Sequence, residues 1–124
     1  NYANGNLYIG NGRGYTADRR VKPDILAPGV DIIGEGISGE PVIRSGTSIA
    51  AAYSAGCCAL LLEWSYEKRS IRNINGNQIR RYLIRGARRP GAGDGFPNIR
   101  NYPNPEWGYG LLNIYGTFES LRNV

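Results

Sequence analysis

The sequence predicts an α/β domain in which helices pack on a few strands of a parallel sheet, as part of a three-layer arrangement. Three observations lead there. A proline-free run rich in Ala and Leu, about residues 48–64, reads as a helix. Short apolar runs at 24–27 and 41–43, bounded by Pro and Gly, read as strands. Glycine, at 18 residues, marks more tight turns than a simple helical bundle needs. The strands are too few for a whole sheet, so the layers are expected to be partial.

Each element follows from its residues. Tyr8-Ile9 reads as a short strand, and Gly10, Gly12 and Gly14 read as loop punctuation. These glycines are not a dinucleotide fingerprint, because no strand feeds them and no helix follows. Lys22-Pro23 stiffens the approach to Asp24-Ile25-Leu26-Ala27, a buried strand that Pro28-Gly29 ends. Val30 to Ile33 continues extended, Glu35 to Glu40 turns, and Pro41-Val42-Ile43 forms a second short strand. The helix from Ser48 to Trp64 is thin in its first half, with Ala50, Ala51, Ala52, Ala55, Gly56 and Ala59, and can lie close to a sheet. It is apolar nearly all round down to Leu62, which predicts burial. Glu63, Glu67, Lys68 and Arg69 mark where it emerges. A second helix is expected from Asn77 to Arg85, with Ile79, Tyr82 and Leu83 on one face. Arg88 to Glu106, with Pro90, Pro97, Pro103 and Pro105, reads as an ordered loop with a hairpin around Gly93-Asp94-Gly95. Trp107-Gly108-Tyr109-Gly110-Leu111-Leu112-Asn113 places two glycines between an aromatic anchor and an apolar pair, which permits close backbone approach. A final amphipathic helix runs from Asn113 to Leu121.

Composition narrows the function classes. The 124 residues amount to one domain's worth of chain. The longest apolar run, Ala55 to Leu62, is too short to span a bilayer, and no membrane partner is expected. Cys57 and Cys58 point about 100° apart on a helix and read as reduced, buried packing residues. A reactive thiol or metal pair is the alternative. The net charge of +5 draws on Arg80, Arg81, Arg85, Arg88 and Arg89. Nucleic-acid binding is one reading of them. The preferred reading is a solvated helix face and a loop that meets an acidic neighbour, because the stretch lacks interleaved aromatics and any groove-reading motif. The chain begins at Asn1 and contains no Met, so it is expected to be a piece of something longer, with loss of a start Met as the alternative.

Ser45-Gly46-Thr47-Ser48-Ile49-Ala50 places a serine hydroxyl at a helix N-terminus. There, first-turn N–H groups have no helical acceptor and the dipole favours negative charge. Ser48 alone could be a plain helix N-cap. It could equally be a nucleophile, yet the chain has no histidine to activate it.

Lys22-Pro23-Asp24-Ile25-Leu26-Ala27-Pro28-Gly29, then Gly46-Thr47-Ser48-Ile49-Ala50, then Ala55-Gly56, then Gly108-Tyr109-Gly110-Leu111-Leu112-Asn113 resemble the C-terminal third of a subtilisin-like serine protease (subtilase) catalytic domain in order and spacing. Gly14-Tyr15-Thr16-Ala17-Asp18 is similar to the family's approach to the Lys-Pro-Asp strand, with Tyr15 in place of Pro. Tyr82 to Arg89, Tyr102-Pro103 and Glu106 to Gly110 resemble the branch that contains clostridial spore-germination proteases. The resemblance covers roughly residues 10–121.

The resemblance implies a partial subtilisin-like fold over 1–124 and serine endopeptidase chemistry, with an acyl-enzyme on Ser48. The backbone N–H of Ser48 matches one oxyanion donor. The catalytic Asp and His and the second oxyanion donor are expected upstream of Asn1, so the isolated chain is expected to be inactive. Asp18, Asp24 and Asp31 are not substitutes, since none has a histidine to orient. Ala51-Ala52-Tyr53 stands where many subtilases have Ser-Pro-His, whose His is a packing residue, and Ile49 stands for a frequent Met. The implied partners are a protein or peptide substrate and the remainder of the catalytic domain, with self-association of the isolated chain. No cofactor is expected in this chain; the family often binds calcium, but no stretch matches a ligand loop. The family suggests a secreted or spore-associated location. Two other functions stay open: a catalytically inactive relative acting as sensor or binding partner, and a basic nucleic-acid-binding module.

Overall fold

The strands pair as short local ladders, and the core is shared between the helices and the non-helical segments around Leu26, Trp107 and Leu111. The structure is a computed structural model that describes residues 2–3, 5–68 and 73–122; Arg69 lies outside them. Three antiparallel two-stranded ladders come first: β1 (Tyr2–Ala3) with β2 (Asn6–Leu7), β3 (Gly14–Tyr15) with β4 (Val21–Lys22), and β5 (Ile32–Glu35) with β6 (Pro41–Arg44). Helices α1 (Thr47–Glu67), α2 (Gly76–Gly86) and α3 (Ile114–Ser120) follow.

The expected strand at 24–27 is the parallel element, and it is short. Leu26 N–H donates to Gly110 O (2.9 Å) and Leu112 N–H to Leu26 O (2.7 Å), which makes one parallel bridge between Leu26 and Leu111. Leu111 also exchanges both backbone bonds with Arg88, so three distant segments meet at one residue. Gly108 allows this approach. It has φ 55°, and a Cβ there would lie 2.3 Å from the Pro23 carbonyl oxygen. The parallel sheet is thus reduced to this bridge, and every ladder among the described residues is antiparallel.

Two expectations about local structure are corrected. Tyr8-Ile9 is not a strand; Tyr8 O accepts from Asn11 N–H (3.0 Å), which turns the chain, and pairing falls at Asn6–Leu7. Gly93-Asp94-Gly95 is a turn without flanking strands, closed by Gly91 N–H donating to Asp94 Oδ2 (3.1 Å).

The helix boundaries have physical causes. α2 starts earlier than expected because Asn75 and Gln78 form a reciprocal capping box. α3 is capped by Asn113 Oδ1, which accepts from Gly116 N–H (3.0 Å). Leu61 of α1, Ile74, Leu83 of α2 and Leu121 form one core cluster, with Ile25, Trp64 and Phe118 packed on it. Leu26, Trp107 and Leu111 form a second, against Phe96, Ile99 and Tyr102.

The burial expected for the long helix is not met within this chain. Only Ala50, Leu61 and Ser65 of α1 are buried. Leu60, Leu62 and Tyr66 are 47%, 48% and 88% exposed, because α2, α3 and the 24–27 segment cover one side only. Cys57 and Cys58 are half-buried for the same reason, and both are free thiols.

Candidate active site

Ser48 is the second residue of α1 and is exposed. The N-cap is Gly46, which has no side chain to cap with, so the Ser48 hydroxyl is not a capping group. Gly46 O accepts from Ile49 N–H (3.2 Å) and Ala50 N–H (3.4 Å). The N–H groups of Thr47 and Ser48 precede those first bonds, at the positive end of a 21-residue helix. No acidic residue occupies the first turn, so nothing there neutralises that field.

Two hydrogen bonds hold the approach to this helix. Gly46 N–H donates to Gly29 O (2.8 Å), and Asp31 N–H donates to Ser45 Oγ (2.8 Å). The Ser45 hydroxyl also lies 3.4 Å from Asp31 Oδ1. Asp31 adopts φ 51°, a left-handed conformation that Asp tolerates better than most side chains. The sequence reading passed over Ser45 and Asp31 as a pair. Fourteen residues separate them, and only the turn of the β5–β6 hairpin brings them together.

The aspartates are committed elsewhere. Asp24 bonds Arg80 Nη2 through Oδ1 (2.8 Å) and Lys22 Nζ through Oδ2 (2.8 Å), tying the 24–27 segment to α2. The Arg80 hydrogen bond, opposed by partial burial and helped by Lys22, holds the Asp24 carboxyl below the usual carboxylate range. Asp18 is held low by hydrogen bonds from the Thr16 hydroxyl and then Arg20. The basic cluster is partly used as well. Arg80 pairs with Asp24, Arg89 Nη2 donates to Ile84 O (3.0 Å), and the Arg88 guanidinium sits 5.8 Å from the centre of the Phe96 ring.

A cleft of about 530 Å³ runs beside the start of α1, between the 11–16 loop and the 22–27 segment. Thr47, Ala50, Ala51 and Ser54 form its α1 wall, and Ser48 is outside the lining. The small side chains of the first two turns leave this space open. No helix among the described residues is long and apolar enough to cross a membrane.

The chain belongs to the subtilase family of serine proteases, which it matches over residues 1–111. It is 32% identical over 104 residues to the membrane-bound transcription factor site-1 protease of Mus musculus, a match that covers 84% of this chain and 9% of the relative. Over the same length it is 33% identical to subtilisin-like protease SBT6.1 of Arabidopsis thaliana, with the same coverage. Among solved structures it resembles the CspB protease of Clostridium perfringens, with a TM-score of 0.80 and 38% identity. That likeness covers 91% of this chain and 23% of the other. The chain therefore spans about a tenth of the curated relatives' length and about a quarter of the solved neighbour, and its fold is part of the subtilisin-like fold.

Proposed function

We propose that these 124 residues carry the nucleophile, Ser48, of a subtilisin-like serine endopeptidase. The observation that carries this reading is the position of Ser48: exposed, second in an uncapped helix, within a chain of the subtilase family. Its Oγ attacks the scissile carbonyl carbon, and its proton passes to a base. The peptide oxygen takes up the electron pair and meets the Ser48 N–H at the helix N-terminus. Collapse breaks the C–N bond as the base returns the proton to the leaving amine, and water then hydrolyses the acyl-enzyme that remains.

The chain holds no histidine, so the base and its orienting carboxylate come from elsewhere in the full-length protein. Asp24 is unsuited to that role because Arg80 and Lys22 occupy both of its oxygens. The 124 residues alone hold a nucleophile without its activating base, and removal of triad members from a related subtilisin abolishes nearly all turnover.

A fluorophosphonate probe tests the reading. The folded full-length protein is expected to label, and the isolated 124-residue chain is expected not to. Absence of labelling in the full-length protein would favour an inactive relative that works by binding. Efficient labelling of the isolated chain would contradict the need for an outside base.

A further inference from the structure

We infer that Ser45 is a positioning residue for the nucleophile, acting through the backbone N–H of Asp31. This rests on the reading of Ser48 as the nucleophile. The β5–β6 ladder ends at the pair Ile32–Arg44, so residues 45–46 leave the sheet before α1 begins at Thr47. α1 has no side-chain cap to fix its first turn. Its start is held instead by two consecutive residues, Ser45 and Gly46, bonded to Asp31 and Gly29. Both partners lie directly after the 24–27 segment, which is itself tied to α2 and to Leu111. The position of Ser48 is thus referred to the rigid seam of the domain through a clip three residues away.

The Gly46 bond fixes the distance between the two segments, and the Ser45 bond fixes rotation about it. Asp31, whose N–H meets Ser45 Oγ, holds a left-handed backbone conformation there. Loss of the Ser45 hydroxyl leaves that N–H with water as its partner and frees the 45–46 connection to rotate. Small misplacement of an attacking group reduces rate far more than it reduces substrate binding.

The test uses the full-length protein and compares Ser45→Ala with Ser45→Thr, which restores a hydroxyl. Fluorophosphonate inactivation is followed to saturation, so that the limiting acylation rate separates from half-saturation, and thermal midpoints are recorded alongside. Ser45→Ala is expected to lower the limiting rate by roughly 3- to 10-fold, the size of one net hydrogen bond. Half-saturation should stay unchanged, and Ser45→Thr should recover most of the rate. An unaltered limiting rate in Ser45→Ala, with or without a lower thermal midpoint, overturns the inference and leaves Ser48 as nucleophile untouched. No labelling of the unsubstituted protein overturns the nucleophile reading and this one with it.

Discussion

Asp24 lies in the segment that leads toward the proposed nucleophile, Ser48, and its carboxylate is engaged in structural contacts. Its carboxylate joins Lys22 and Arg80, and its backbone carbonyl accepts from Tyr109 N–H (2.7 Å). Because its pKa is lowered in the folded state, the stabilisation is complete above the unfolded carboxylate range and is lost as pH falls through the lowered value. Asp24→Asn is expected to cost about 1 kcal/mol at neutral pH, a modest figure because Arg80 is 45% exposed and solvent screens the pair. The difference from the unsubstituted chain should shrink below pH 4 or so in denaturant titrations, as Asp24 itself becomes neutral. A difference that persists unchanged at low pH would contradict the assignment. The two thiols give a second check at this scale. Partial burial pushes both upward, with the neighbouring Cys58 adding to the effect on Cys57. Both should react slowly with a thiol reagent at neutral pH and faster once unfolded; rapid reaction in the folded protein would contradict their role as packing residues.

At the scale of elements, the helices were legible in the sequence and most pairings were not. The long helix shows itself through composition and α3 through its amphipathic pattern, while the Asn113 cap came with the structure. α2 begins at Gly76, before the expected Asn77, because the Asn75–Gln78 capping box closes its first turn. Tyr8-Ile9 has strand propensity but no ladder partner among the described residues, whereas Asn6–Leu7 faces Tyr2–Ala3. Strand assignment depends on what lies opposite, and a local run of residues carries no such information. The close approach of Gly108 was legible from its motif, and the residues it meets, Pro23 and Asp24, came only with the structure. Gly86 makes the matching contact between α2 and α3: a Cβ there would lie 2.3 Å from Thr117 Cα. Gly86→Ala is therefore expected to destabilise by about 2–3 kcal/mol in urea unfolding, through overpacking at a rigid backbone. A loss within a few tenths of a kcal/mol would show that the two helices can separate freely.

At the scale of the whole molecule, one face of α1 is the outstanding feature. Its residues are apolar nearly all round, but the chain covers only the side that meets Ile25, α2 and α3. The β5–β6 hairpin adds Ile33 and Ile43, directly opposed and exposed, with Ile37 at its turn. Apolar surface of this kind is covered in a stable protein. The isolated 124-residue chain is expected to bind a hydrophobic dye and to self-associate in sedimentation, whereas a well-behaved monomer without dye binding would contradict that expectation. The proposed nucleophile, Ser48, stands out in the sequence through Gly46-Thr47-Ser48, because the motif is local. The clip that holds it was not legible there, because Ser45 and Asp31 meet only after the hairpin folds.

The central claim is that Ser48 is the attacking group. Mass spectrometry of the fluorophosphonate-treated full-length protein tests it most directly, using the tryptic peptide 45–68, which also contains Ser45, Ser54 and Ser65. The account predicts a single adduct localised to Ser48 and its loss in Ser48→Ala. An adduct on another serine, or none on a folded full-length protein, would contradict it.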